Sequence, residues 1–173
     1  MINMEDIELS FNRAQFDAVW DRVNGNNANA YTSPASTGKE KSTDDAAQLR
    51  AFMDDEALDA QYYCVLASKT SGCTRRTLSN ISADERRHLK KLRTKYFILT
   101  GEAYDPAPAC PVVYSVSDAL RKRYAGEVKG ASAYKAAAEH TAQEGLADTY
   151  LELASEEARH AMDIERLIEC MVG

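Results

Sequence analysis

The chain has 173 residues, a formal net charge of −6, and only 8 glycines and 4 prolines. That length supports one domain with a sizeable core, and the acidic balance excludes nucleic acid as the main partner. Cys64, Cys73, Cys110 and Cys170 show no C-x-x-C spacing, which excludes an appended cysteine-ligated iron or zinc module. They are expected as thiols, buried or incidental, in a cytoplasmic chain. The N-terminal MINMEDIELS is acidic and lacks the basic-then-apolar layout of a signal peptide. No apolar run approaches the ~20 residues that a membrane helix needs. The expectation is a soluble, cytoplasmic protein.

Ser10 is placed to cap a short helix over 11–23, with Phe16, Val19, Trp20 and Val23 forming one apolar stripe. Residues 24–43 are polar and turn-rich and read as a linker anchored only by Tyr31. Residues 1–43 are thus set apart from a body over 44–173. A long helix is expected from Asp44, capped by Ser42 or Thr43, to about Ser71-Gly72. A second runs from Thr74 to Thr100 and stops at Gly101. The stretch 101–116, with Pro106, Pro108 and Pro111, is not helical. At ~3.3 Å per residue it is long enough to return along a helix of that size. A third helix is expected over 117–141, with Asp118 at its start, and a fourth over 146–172, with Gly145 in the turn between. The composition and the four amphipathic stretches predict an all-α fold.

The two helix pairs repeat one another. Leu49, Glu56 and Tyr63 match Leu120, Glu127 and Tyr134, and after one extra residue Asp84-Glu85-x-x-His88 matches Glu156-Glu157-x-x-His160. Each half therefore reads Glu, Tyr, then acid-Glu-x-x-His. Residues three apart share a helix face, so each Glu-x-x-His offers a carboxylate and an imidazole to one point. Four carboxylates and two imidazoles would then meet inside the bundle, an arrangement too costly without cations. Two divalent metals cancel the charge, and oxygen and nitrogen donors suit iron or manganese. Asp84 is placed to hold His160, and Glu156 to hold His88. Tyr63 and Tyr134 are the catalytic candidates, positioned to bond to the carboxylates or to carry electrons. His140, Glu139 and Glu144 lie off the repeat and are expected in solvent. The basic run Arg86, Arg87, Lys90, Lys91, Arg93 and Lys95 is expected as a solvated face.

The six residues Glu56, Glu85, His88, Glu127, Glu157 and His160 resemble the ligand set of the ferritin-like superfamily. Within it the chain is similar to the rubrerythrin-type and bacterioferritin-type diiron proteins, over roughly 44–172. Ferritins proper carry a single Glu-x-x-His. Rubrerythrins typically carry a further carboxylate where this chain has Tyr124, and a rubredoxin-like module that is absent here. The resemblance implies a four-helix bundle of two helix pairs joined by a long crossover, with an added N-terminal helix. It implies two iron ions, with manganese as the alternative metal. Glu56 and Glu127 would be terminal ligands, Glu85 and Glu157 bridging, with one histidine per metal. The implied activity is reduction of peroxide or dioxygen with an external electron donor, in a homo-oligomer, most simply a dimer. The alternatives are a ferroxidase or iron-storage protein that needs a cage or shell, a hydroxylase of the same fold, and a docking protein that keeps metal for stability.

Overall fold

A computed structural model describes residues 38–172, and the side chains of 45–171. The helix expected over 11–23 and most of the expected linker lie outside the described residues. Four helices follow: α1 Gly38–Ser68, α2 Gly72–Thr100, α3 Val116–His140 and α4 Glu144–Val172. No strand occurs among the described residues.

Three boundaries differ from expectation. α1 starts at Gly38 rather than near Asp44, so Ser42 and Thr43 lie within the helix instead of capping it. Residues 38–43 carry no apolar side chain, so periodicity is silent there, while their Lys and Glu favour helix. The first hairpin turns at residues 69–71, and Ser71 is the N-cap of α2. Gly145 sits in the first turn of α4 rather than in the preceding loop. At the end of α2, Gly101 takes φ 75° and donates its N–H to the Phe97 carbonyl at 2.8 Å, a left-handed stop that glycine adopts without a Cβ penalty. Ser115 caps α3, its hydroxyl accepting from the Asp118 N–H at 3.3 Å.

α1 packs along α2, and α3 along α4. The prolines keep 101–115 out of regular structure. Near its start Tyr104 donates to Asp54 of α1 at 2.8 Å. Near its end Val113 is buried with Leu66 and Leu78, at the far end of the first helix pair. The connector therefore runs back along the bundle, and the helix order is up, down, crossover, down, up.

The core has two apolar ends. One gathers Leu49, Phe52, Leu92, Tyr96, Leu146, Tyr150 and Leu153. The other gathers Tyr63, Leu66, Leu78, Ile81, Leu120, Ile164 and Leu167. Between them lie buried polar residues, including Glu56, Asp84, Glu85, His88, Glu127, Glu157 and His160. A charged layer sandwiched between apolar caps is shielded from water on two sides. Tyr124 packs on the second cluster and adds nothing to that layer. All four cysteines are free and exposed, so of the two alternatives, buried or incidental, none is buried.

Candidate metal centre

Each helix contributes to the layer because the motif spacing turns its residues inward. Glu85 and His88 sit on one face of α2, and Glu157 and His160 on one face of α4, while α1 supplies Glu56 and α3 supplies Glu127. The donor atoms form two groups. One contains Glu56, Glu85, His88 and Glu157, and the other Glu85, Glu127, Glu157 and His160, each with its ligand atoms within 4.8 Å of one another. Glu85 and Glu157 belong to both groups. Each group is completed by one further glutamate and one histidine.

The imidazoles face inward through Nδ1. His88 Nδ1 lies 2.9 Å from Glu85, 3.2 Å from Glu157 and 3.3 Å from Glu56. His160 Nδ1 lies 3.1 Å from Glu85 and 3.4 Å from Glu127. The two rings are near-parallel, with centroids 5.6 Å apart. Their outer edges meet acids of the opposite half: His88 Nε2 is 3.0 Å from Glu156, and His160 Nε2 is 3.2 Å from Asp84. A carboxylate can only accept, so each Nε2 donates to its acid, and a metal in place of the inner proton would meet the Nδ1 lone pair. The acids are themselves held. Asp84 accepts from Arg87 and from Arg159, the latter at 2.8 Å, and Glu156 accepts from Lys91 at 3.3 Å. The basic run stays partly exposed to solvent, and part of it is also paired with acids. Arg87 and Lys91 sit over this layer, and Arg93 and Lys95 bond to Asp105 and to the Gly145 carbonyl.

The tyrosines cross the halves in the same way. Tyr63 donates to Glu127 and Tyr134 donates to Glu56. Burial, and then the adjacent Glu127 and Glu56 respectively, push both phenols well above their ordinary pKa.

The electrostatics are those of a site built for cations. Burial raises Glu56 well above the carboxylate range and Glu157 to about 8. Burial would also raise Glu85, but His160 and His88 outweigh it and hold that carboxyl well below its usual range. Burial opposes a charged imidazole, yet the glutamates raise His88, and raise His160 to about 10. Both Glu85 oxygens, one oxygen each of Glu127 and Glu157, and His160 Nδ1 are buried without a hydrogen-bond partner among the described residues. Buried acceptors are normally satisfied. These point at one another, as ligands do around a cation, so the donor set fits two divalent metals.

Sequence reasoning missed Asp59 and Arg123. Arg123 pairs with Asp59 and lies over the rings of Tyr62 at 5.1 Å and Tyr63 at 5.8 Å. Burial raises Asp59 to about 7 despite Arg123. Nothing in the repeat marks this pair, because the positions matching Asp59 and Arg123 in the other half are Gly130 and Phe52.

A ferritin-like domain profile matches residues 26–169. The chain belongs to the ferritin-like domain family. No curated protein and no solved structure matches it significantly. No helix among the described residues is long and apolar enough to cross a membrane.

Proposed function

We propose that the protein is a diiron oxidoreductase that reduces peroxide or dioxygen and is re-reduced by an external electron donor. The observation that carries this reading is the pair of four-residue donor groups sharing Glu85 and Glu157. Glu56 and His88 would hold one ion and Glu127 and His160 the other, with Glu85 and Glu157 available to both. Two ferrous ions held there would supply the two electrons that a peroxide bond requires.

The chain's own groups do the rest. Asp84 and Glu156 fix the tautomer and tilt of the histidines, as carboxylates behind metal-bound imidazoles do. Tyr63 and Tyr134 hold protons against Glu127 and Glu56 and keep one oxygen of each carboxylate oriented. Their raised pKa keeps both phenols protonated at neutral pH. The apolar clusters above and below exclude bulk water, which strengthens each of these contacts.

Anaerobic loading with Fe(II), followed by rapid mixing with hydrogen peroxide or dioxygen, tests the reading. The expected result is oxidation of two irons per peroxide, far faster than for Fe(II) in buffer. Oxidation no faster than the buffer control with either oxidant would overturn it.

A further inference from the structure

The halves of the repeat diverge in one place. On α1 the face beside Glu56 carries Asp55, Asp59 and Tyr62, whereas the matching positions on α3 are Gly126, Gly130 and Ala133. Where those side chains are missing, a cleft of about 340 Å³ opens between α1 and α3. It opens at exposed Leu58 and Lys129 and reaches Glu56, Tyr134 and Glu157 at its floor. Gly130 forms the part of the wall directly over Glu157, since a Cβ there would stand 2.9 Å from Glu157 Oε2. On the opposite face Arg87, Lys91 and Arg159 instead bridge α2 and α4 through Asp84 and Glu156.

The cleft is larger than peroxide or dioxygen requires. A water-sized molecule takes ~30 Å³ in the liquid, and pockets for small organic ligands begin at about 300 Å³. Its walls include Phe52, Leu58, Tyr62 and Ala133. Charges on the walls are partly paired, Arg123 with Asp59 and Lys129 near Asp55, with Lys122 exposed and the acids Glu56 and Glu157 inside. A neutral, mostly apolar molecule suits that lining better than an anion does.

We propose that the α1–α3 cleft admits a small neutral organic hydroperoxide to the carboxylate site, with its size limit set by the missing side chains of α3. The inference rests on the redox reading above. The O–O bond of the hydroperoxide takes up two electrons, one from each of two ferrous ions, and two protons from solvent. It leaves as one alcohol and one water, with two ferric ions remaining.

The test uses the full chain and two variants that fill the cleft from opposite walls without touching a proposed ligand, Ala133→Leu and Leu58→Trp. Cumene hydroperoxide is compared with hydrogen peroxide as oxidant of the ferrous protein. Cumyl alcohol, the reduced product, reports occupancy of the cleft without chemistry, by calorimetry on zinc-loaded protein. Metal stoichiometry and helicity serve as checks on folding. The expected result is that both variants bind the alcohol and react with cumene hydroperoxide at least about tenfold less well, the scale set by small steric changes in an apolar pocket. Their hydrogen peroxide rate should fall clearly less than the cumene hydroperoxide rate, since a molecule near the size of water still passes a narrowed cleft. No alcohol binding to wild type, equal slowing with both peroxides, or no change in either variant would overturn the proposal. Alcohol binding that the variants abolish, with no oxidation by either peroxide, would instead sink the redox reading and leave the cleft as a binding site.

Discussion

Along α2 and α4, each histidine that faces the carboxylates on one edge is held on the other by an acid, and that acid by basic side chains. Along α1 and α3, Glu56 and Glu157 lie next to a cleft lined in part by glycine and alanine. The difference teaches how one repeated unit serves two ends. The Glu-x-x-His helices keep both copies of the repeat nearly intact, as the proposed two-metal site with one imidazole per ion would need. The single-glutamate helices differ, Asp59 against Gly130 and Tyr62 against Ala133, as the proposed entry on one side would need.

The comparison breaks most completely if the shared carboxylates are removed. A Glu85→Ala, Glu157→Ala double variant should bind neither metal tightly. In the wild-type protein, each site filled at 100 times its dissociation constant adds about 2.7 kcal/mol. For a chain of this size that is roughly 2–4 °C per kcal/mol. Two metals should therefore raise the melting temperature by about 10–20 °C, a shift the double variant should lose. The rigid face is tested next. Asp84→Ala or Glu156→Ala should leave the helices intact and weaken metal binding about 10–100-fold, since each removes the partner that orients one histidine.

Much of this was legible in the sequence because its determinants are local. Three-residue spacing puts Glu85 with His88 and Glu157 with His160 whatever the tertiary fold, and the repeat supplied Glu56 and Glu127 by register. The partners Asp84 and Glu156 followed from their place beside the ligand glutamates. The cleft and the Asp59–Arg123 pair did not follow. Both depend on how α1 sits against α3, and the loss of a side chain at Gly130 leaves no periodic signal. The start of α1 was missed for a related reason: residues 38–43 are polar on every side, so helix and linker look alike there. The part played by Arg87 and Lys91 was hidden because a charged helix surface reads the same whether it meets water or a neighbouring acid.

Acidity offers a subtler probe of the buried layer. Asp59 and Glu157 have folded pKa values of about 7 and 8, above their ordinary 3.8 and 4.5. Between about pH 4 and 8 the folded protein therefore holds protons that the unfolded chain has released, so stability falls as pH rises through that window. The metal-free protein should lose stability steadily between about pH 5 and 8 in urea titrations. Metal loading should flatten or reverse that slope, because cations replace protons among the carboxylates. A slope of the opposite sign without metal would show that the layer is not desolvated.

The smallest effect separates the two glycines of the cleft. Gly130→Ala should displace the Glu157 carboxylate and lower metal affinity several-fold, because a Cβ there would crowd Oε2. At Gly126 a Cβ would meet only the flexible end of Arg123. Gly126→Ala should therefore keep wild-type metal affinity, at the cost of shifting the Arg123 guanidinium against Asp59. Equal affinity in the two variants would remove Gly130 from the account of Glu157.

The central claim is that six side chains from four helices form one two-metal site. Anaerobic titration of metal-free protein with Fe(II), followed by calorimetry and direct metal analysis, tests it most directly. The account predicts two ions per chain in wild type and none tightly bound in the Glu85→Ala, Glu157→Ala variant. Fewer than two ions in wild type, or two ions retained by the variant, would contradict it.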